Sequence, residues 1–263
     1  MAAVEAEADA LWRAAVYASV CQLHLRENVI LAEPLRAEHV KERPAGHWGT
    51  VPGTAWALAH VALAGDRTLI PLLGAGHAGV VQLAMSWLTG ELARLRPEYT
   101  PDACGLAALS AAFPDVGGLG AEVVPGLAAG DYMGGRLGGC LPFAQGAALG
   151  APDRILVPVI GDGECETPTT AAAWLARMAV PSAKVLPVIH LNGFRMGAPS
   201  LLSALDDEEI RRWAAGLGWE AAVVRVTSGS LSEHAAYREA LLGMAVRVDS
   251  GTPVMVILRC VKG

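Results

Sequence analysis

Ile155-Leu156-Val157-Pro158-Val159-Ile160-Gly161-Asp162-Gly163-Glu164-Cys165-Glu166 is the stretch that decides the fold. An uninterrupted apolar run describes a strand buried on both faces, and it gives way at once to a carboxylate flanked by glycines. The pattern recurs at 185–191, which ends in Asn192-Gly193-Phe194. Further apolar, β-branched runs lie at 68–73, 221–226 and 254–259, and helical patterns fall between them at 80–95, 137–149, 169–180, 208–217 and 232–248. Thr167 before Pro168 is a helix start, Asp206 and Asp207 open the next helix, and Gly216 or Gly218 can close it. Strands alternating with helices predict an α/β fold, a doubly wound and mostly parallel sheet covered on both faces. Ligands then belong at the carboxyl ends of the strands. The chain reads as a single domain over 1–263, with a helical extension over its first 30 residues.

Composition agrees with this class. Of 263 residues 53% are hydrophobic, only 5% are aromatic and 17% are charged. The apolar content is therefore small and aliphatic, suited to close helix–sheet packing, and disorder is excluded as the main state. So few charges for this size suggest an apolar face that meets a partner. A net charge of -6, with no basic run longer than a dipeptide, argues against nucleic acid. Five scattered cysteines without a CxxC pair, and an acidic N-terminus without an export signal, point to the cytoplasm. The uncharged stretch 68–90 is long enough to span a bilayer, but Pro71, Gly74, Gly76, His77, Gly79 and Gln82 interrupt it. It reads as strand, loop and helix, so no membrane partner is expected.

Two glycine patterns need weighing. Gly74-x-Gly76-x-x-Gly79 satisfies the dinucleotide fingerprint literally, but the next acid, Glu91, lies on the following helix rather than at a second strand end. A dinucleotide site is not expected. The stretch 115–139 is glycine-rich and aperiodic, which suits a loop whose backbone closely approaches a ligand or partner.

If the strands at 155–160 and 185–191 are neighbours, Asp162 and Asn192 place a carboxylate and an amide oxygen together. Mg²⁺ takes such a pair, completing its octahedron with water and substrate phosphate oxygens. Gly161 and Gly163 allow a diphosphate to come against the backbone, and the helix from Pro168 presents its positive end nearby.

These motifs resemble those of thiamine diphosphate enzymes. Within that group, 34–41 (PLRAEHVK), 46–50 (GHWGT), Pro52-Gly53, 74–79 (GAGHAG), GDGECET, HLNGF and the closing 253–259 with Lys262-Gly263 resemble, in order, the N-terminal domain of phosphoketolases. The resemblance implies a thiamine diphosphate-binding fold of the phosphoketolase and transketolase superfamily. It makes Asp162, Asn192 and the Phe194 carbonyl the Mg²⁺ ligands, with Gly161, Gly163 and Glu164 lining the diphosphate. His47 and His77 match active-site histidines that shuttle protons and hold the donor. The other histidines, including His39 and His190, are read as packing residues, and Glu166 is either a helix-start acid or part of a polar network between two cofactor sites.

Phosphoketolases are about three times longer, so the resemblance further implies a split enzyme whose pyrimidine-binding domain is a separate chain, in a heterodimer or heterotetramer. The expected activity is cleavage of a ketose phosphate with transfer of a two-carbon ketol or acyl unit. The family's loop histidines have no counterpart in 115–139, which argues for an acceptor other than phosphate. Two alternatives remain: the α-like subunit of an enzyme decarboxylating a 2-oxo acid, and a non-catalytic partner that completes a dimer.

Overall fold

The computed structural model of the chain describes residues 2–65, 69–115, 119–130 and 136–263. Helix α1 (Ala2–His24) leads into α2 (Val51–Ala62) and strand β1 (Leu69–Leu73). Helices α3 (Gly79–Leu88), α4 (Glu91–Leu95), α5 (Ala103–Ala112) and α6 (Cys140–Leu149) precede β2 (Ile155–Gly161). The rest runs α7 (Asp162–Cys165), α8 (Pro168–Ala176), β3 (Val188–Leu191), α9 (Asp207–Gly216), β4 (Glu220–Val226), α10 (Leu231–Asp249) and β5 (Val254–Cys260).

The five strands form one parallel sheet in the order β1-β2-β3-β5-β4. Alternate residues of each strand feed two cores. Val254, Val256 and Leu258 join the core under α1, α2, α3, α5 and α10, while Met255 and Ile257 join the core under α6, α8 and α9. That two-sided burial is why the strands read as continuous apolar runs. On the first side α1 sets Ala8, Ala15 and Ala18, all fully buried, against its neighbours, so helices approach closely without bulky side chains. Among the described residues no helix is long and apolar enough to cross a membrane.

The expected caps form. Thr167 accepts from the Thr170 N–H with Pro168 in the first turn, Asp206 and Glu209 build a reciprocal capping box, and Gly218 takes a left-handed φ of 76° just past α9. Four boundaries differ from expectation, one of them the helix expected over 169–180, which ends at Ala176. The helix expected over 80–95 is two, because Gly90 adopts a φ of 73° and turns the chain between α3 and α4. Strand β3 is shorter than 185–191, since Pro187 has no N–H for the ladder and Val185 makes only an isolated bridge to Leu156. The helix expected over 137–149 starts only at Cys140, after a left-handed Gly138.

Candidate active-site cleft

The carboxyl ends of β1, β2 and β3 open into a cleft of about 580 Å³. Gly161 lies opposite His190 in the parallel register, so the residues that follow each strand emerge together. Asp162 and Asn192 are thus neighbours: the Gly193 N–H donates to Asp162 Oδ2 at 2.8 Å. Ser200 Oγ donates to the same oxygen at 2.7 Å, and the Gly163 N–H to Oδ1 at 3.0 Å. The carboxylate is only 2% exposed, and burial raises its pKa despite those donors. Asn192 is held from both ends, its Nδ2 donating to the Gly49 carbonyl at 3.1 Å and its Oδ1 accepting from the Phe194 N–H at 3.0 Å.

All eight predicted site residues line the cleft: His47, His77, Gly161, Asp162, Gly163, Glu164, Asn192 and the more exposed Phe194. His47 precedes the short 3₁₀ turn Trp48–Thr50, and His77 sits in the turn Gly76–Ala78, so each is displayed by a loop at a helix start. Their rings stand 5.6 Å apart, centroid to centroid, edge to face. Burial first, then the positive potential of His47 and Lys262, lowers the pKa of His77. His47 Nδ1 has no hydrogen-bond partner among the described residues.

Glu164 is the most confined acid of the group. Its Oε1 accepts from the Gly138 N–H at 3.1 Å, its Oε2 is buried without a partner among the described residues, and burial pushes its pKa up to about 7. Gly74 makes room for it, since a Cβ there would stand 2.2 Å from Oε2. Gly79 likewise lies against the Ala121–Glu122 backbone. The glycines that mimic a dinucleotide fingerprint therefore serve internal packing. From the glycine-rich stretch, Glu122 and Leu137 reach the cleft, while residues 116–118 and 131–135 lie outside the described residues.

Thr50, Arg195 and Lys262 also line the cleft without a role assigned from the sequence, and His190, read there as a packing residue, lines it too. His190 Nδ1 meets Thr54 Oγ1 at 3.3 Å, and Thr54 meets Thr50 Oγ1 at 3.2 Å. Burial holds the His190 pKa down to about 4, so the ring is neutral. The available signal was the two-residue period of a strand, which places His190 on the same face as Asn192. Lys262 lies 5.0 Å over the Phe194 ring, its stem against Gly49. Glu166 forms an ion pair with Arg195 at 3.0 Å and accepts from the Leu201 N–H, both within this chain. His39 is a packing residue as expected, its Nδ1 accepting from the Arg36 N–H.

A buried carboxylate and an amide oxygen at adjacent strand ends, beneath two histidines, can hold a hard cation with an anionic ligand and move protons beside it. The donor set fits Mg²⁺: one anionic ligand rather than a cluster, desolvated in a polar cradle, with Gly161 leaving open space where a Cβ would point.

The sheet order and this cleft define an α/β domain of the transketolase type. A transketolase from Leishmania mexicana superposes with a TM-score of 0.62 at 15% identity, over 97% of this chain and 36% of that one. One from Campylobacter jejuni gives 0.60 at 14% identity, over 97% and 37%. The chain belongs to the XFP N-terminal domain family, whose model matches residues 2–248. A probable phosphoketolase of Mesorhizobium japonicum is 39% identical over 81% of this chain and 27% of its own length. Another from Streptomyces coelicolor is 38% identical over 97% of this chain and 34% of its own. The chain thus spans about a quarter to a third of the curated relatives it matches.

Proposed function

We propose that this chain is the Mg²⁺- and diphosphate-binding part of a thiamine diphosphate-dependent enzyme that cleaves a ketose phosphate and transfers a two-carbon unit. The observation that carries this reading is the meeting of Asp162 and Asn192 at the ends of β2 and β3, under His47 and His77. When bound, the cofactor supplies carbanion stabilisation at its thiazolium carbon. Asp162, Asn192 and the Phe194 carbonyl hold the metal. Gly161, Gly163 and Glu164 line the diphosphate. His47 and His77 hold the donor hydroxyls and exchange protons with them, and the lowered pKa of His77 keeps its imidazole neutral and able to accept one.

The remaining domain, with the pyrimidine site, is proposed to be a separate polypeptide. Supporting this is an outer face without charge. Helices α6 and α8 carry no charged residue, and they expose Phe143, Leu149 and Leu175, followed by Met178 at 72% exposure. A face of that kind suits burial against a protein partner. The test is to purify the chain with whatever polypeptide it binds and to supply xylulose 5-phosphate and pyruvate in parallel with thiamine diphosphate and Mg²⁺. Turnover of the ketose phosphate, absent from the chain alone, is expected. Turnover of pyruvate instead would favour a 2-oxo acid decarboxylating subunit.

A further inference from the structure

Away from the cleft, three helices of the first layer meet at a buried polar chain that the proposed chemistry does not use. His234 of α10 and His60 of α2 are both fully buried, and His234 Nδ1 lies 2.9 Å from His60 Nε2. On the other side of His234, Asp9 Oδ1 of α1 stands 3.4 Å from Nε2. The His234 ring stacks on Trp56 of α2, at 3.7 Å between centroids and 18° between planes.

The proton positions follow from the donors available. A carboxylate has no proton to offer, so the proximity of Asp9 Oδ1 favours the proton on His234 Nε2, an atom at ion-pair distance but without a well-aligned hydrogen bond, and leaves Nδ1 bare. That bare nitrogen accepts the Nε2–H of His60, whose own Nδ1 has no partner among the described residues. With both imidazoles uncharged, the His60–His234 bond forms without any buried charge. A solvent proton taken by His234 Nδ1 removes the acceptor for His60, and one taken by His60 Nδ1 creates a buried N–H and a charge with no counterion.

We propose that Asp9–His234–His60 is an acid-released latch that holds α2 against α1 and α10. The consequence reaches the cleft because α2 is one helix: His60 lies near its end, and Thr50, Gly53 and Thr54 near its start pack around His190. The surrounding charges oppose protonation only in part. Arg13 of α1 binds Asp9 at 2.9 Å and weakens its pull on a charged His234. Arg238 of α10 donates to the Leu63 carbonyl and repels a charged His60, while Glu233 favours a charged His234. Behind His60 lies the un-ionised phenol of Tyr237, with Cys260 of β5 beyond it. Burial keeps His60 neutral far into acid, with its pKa down to about 3. The latch thus yields by opening rather than by charging in place.

The test is NMR on the full chain without ligands, which makes it independent of the proposed activity. At pH 7.5 both ring ¹⁵N patterns should show the proton on Nε2. Between pH 7.5 and 5.0 the hydrogen-exchange opening of α2, corrected for intrinsic rates, should rise about 30-fold for each imidazole released. In the double variant His60→Gln, His234→Gln that extra rise should vanish. A proton on Nδ1 of either ring, or an acid response of α2 equal in wild type and variant, overturns the latch. Should the double variant fail to fold, the ring tautomers of the wild type decide alone.

Discussion

At Gly53 a side chain cannot be added without moving His190: a Cβ would stand 2.1 Å from Nε2. Gly53→Ala is therefore expected to lose about 1–3 kcal/mol of stability, read by urea unfolding, because the β3 ring or the α2 backbone must shift. Asp162 carries three hydrogen bonds whose donors would be left buried in Asp162→Ala. That variant should cost about 1–3 kcal/mol of fold stability as well as the metal, whereas Asp162→Asn keeps part of the bonding and should recover stability without recovering cation affinity. The two losses separate packing from function. Asp162 and Asn192 were legible in the sequence because each directly follows an apolar run and precedes a glycine. His190 was not, because a histidine inside a buried run has the same appearance whether it packs or faces a ligand.

At the scale of elements, what could be read was what has a period or a stop. The strands, α9 and α10 declared themselves through continuous burial, two-sided patterning or capping boxes. Helices α2 and α5 did not: both are uncharged apart from His60, and α2 is buried around nearly all its circumference, so no amphipathic stripe appears. The break after α3 hinged on one left-handed glycine inside an otherwise helical pattern, a position that propensity alone does not mark. For α9, the capping box predicts that Asp206→Ala loses about 0.5–2 kcal/mol, with Glu209→Ala giving part of the same loss in a non-additive double variant. An additive result would mean that the two bonds form independently.

For the whole molecule, the buried titratable groups set opposing pH dependences. His60 and His190 have folded pKa values of about 3 and about 4, below the ordinary 6.5. Their stabilisation is complete above pH 6.5 and is lost as pH falls, about 2 kcal/mol each by pH 5. Glu164, raised to about 7 from an ordinary 4.5, acts oppositely: its burial is favoured by its proton, and it recovers about 2 kcal/mol over the same interval. From these three groups the chain should lose about 2 kcal/mol between pH 7.5 and 5.0, and Glu164→Gln should deepen the loss to about 4. An unchanged slope in Glu164→Gln would mean that Glu164 is ionised in the fold. The sparse charge of the sequence is explained in part by α6 and α8, which carry no charged residue and expose Phe143, Leu149 and Leu175. Leu175→Glu, at a position 51% exposed, should leave the melting temperature of the isolated chain nearly unchanged and abolish capture of the proposed partner.

The central claim is that the β2 and β3 ends form a Mg²⁺–diphosphate site. Its most direct measurement is a calorimetric titration of thiamine diphosphate into the chain, alone and with the proposed partner, with and without Mg²⁺, for wild type and Asp162→Ala. Mg²⁺-dependent binding that Asp162→Ala weakens at least tenfold is expected. Binding that is indifferent to Mg²⁺, or equal in Asp162→Ala, would contradict it.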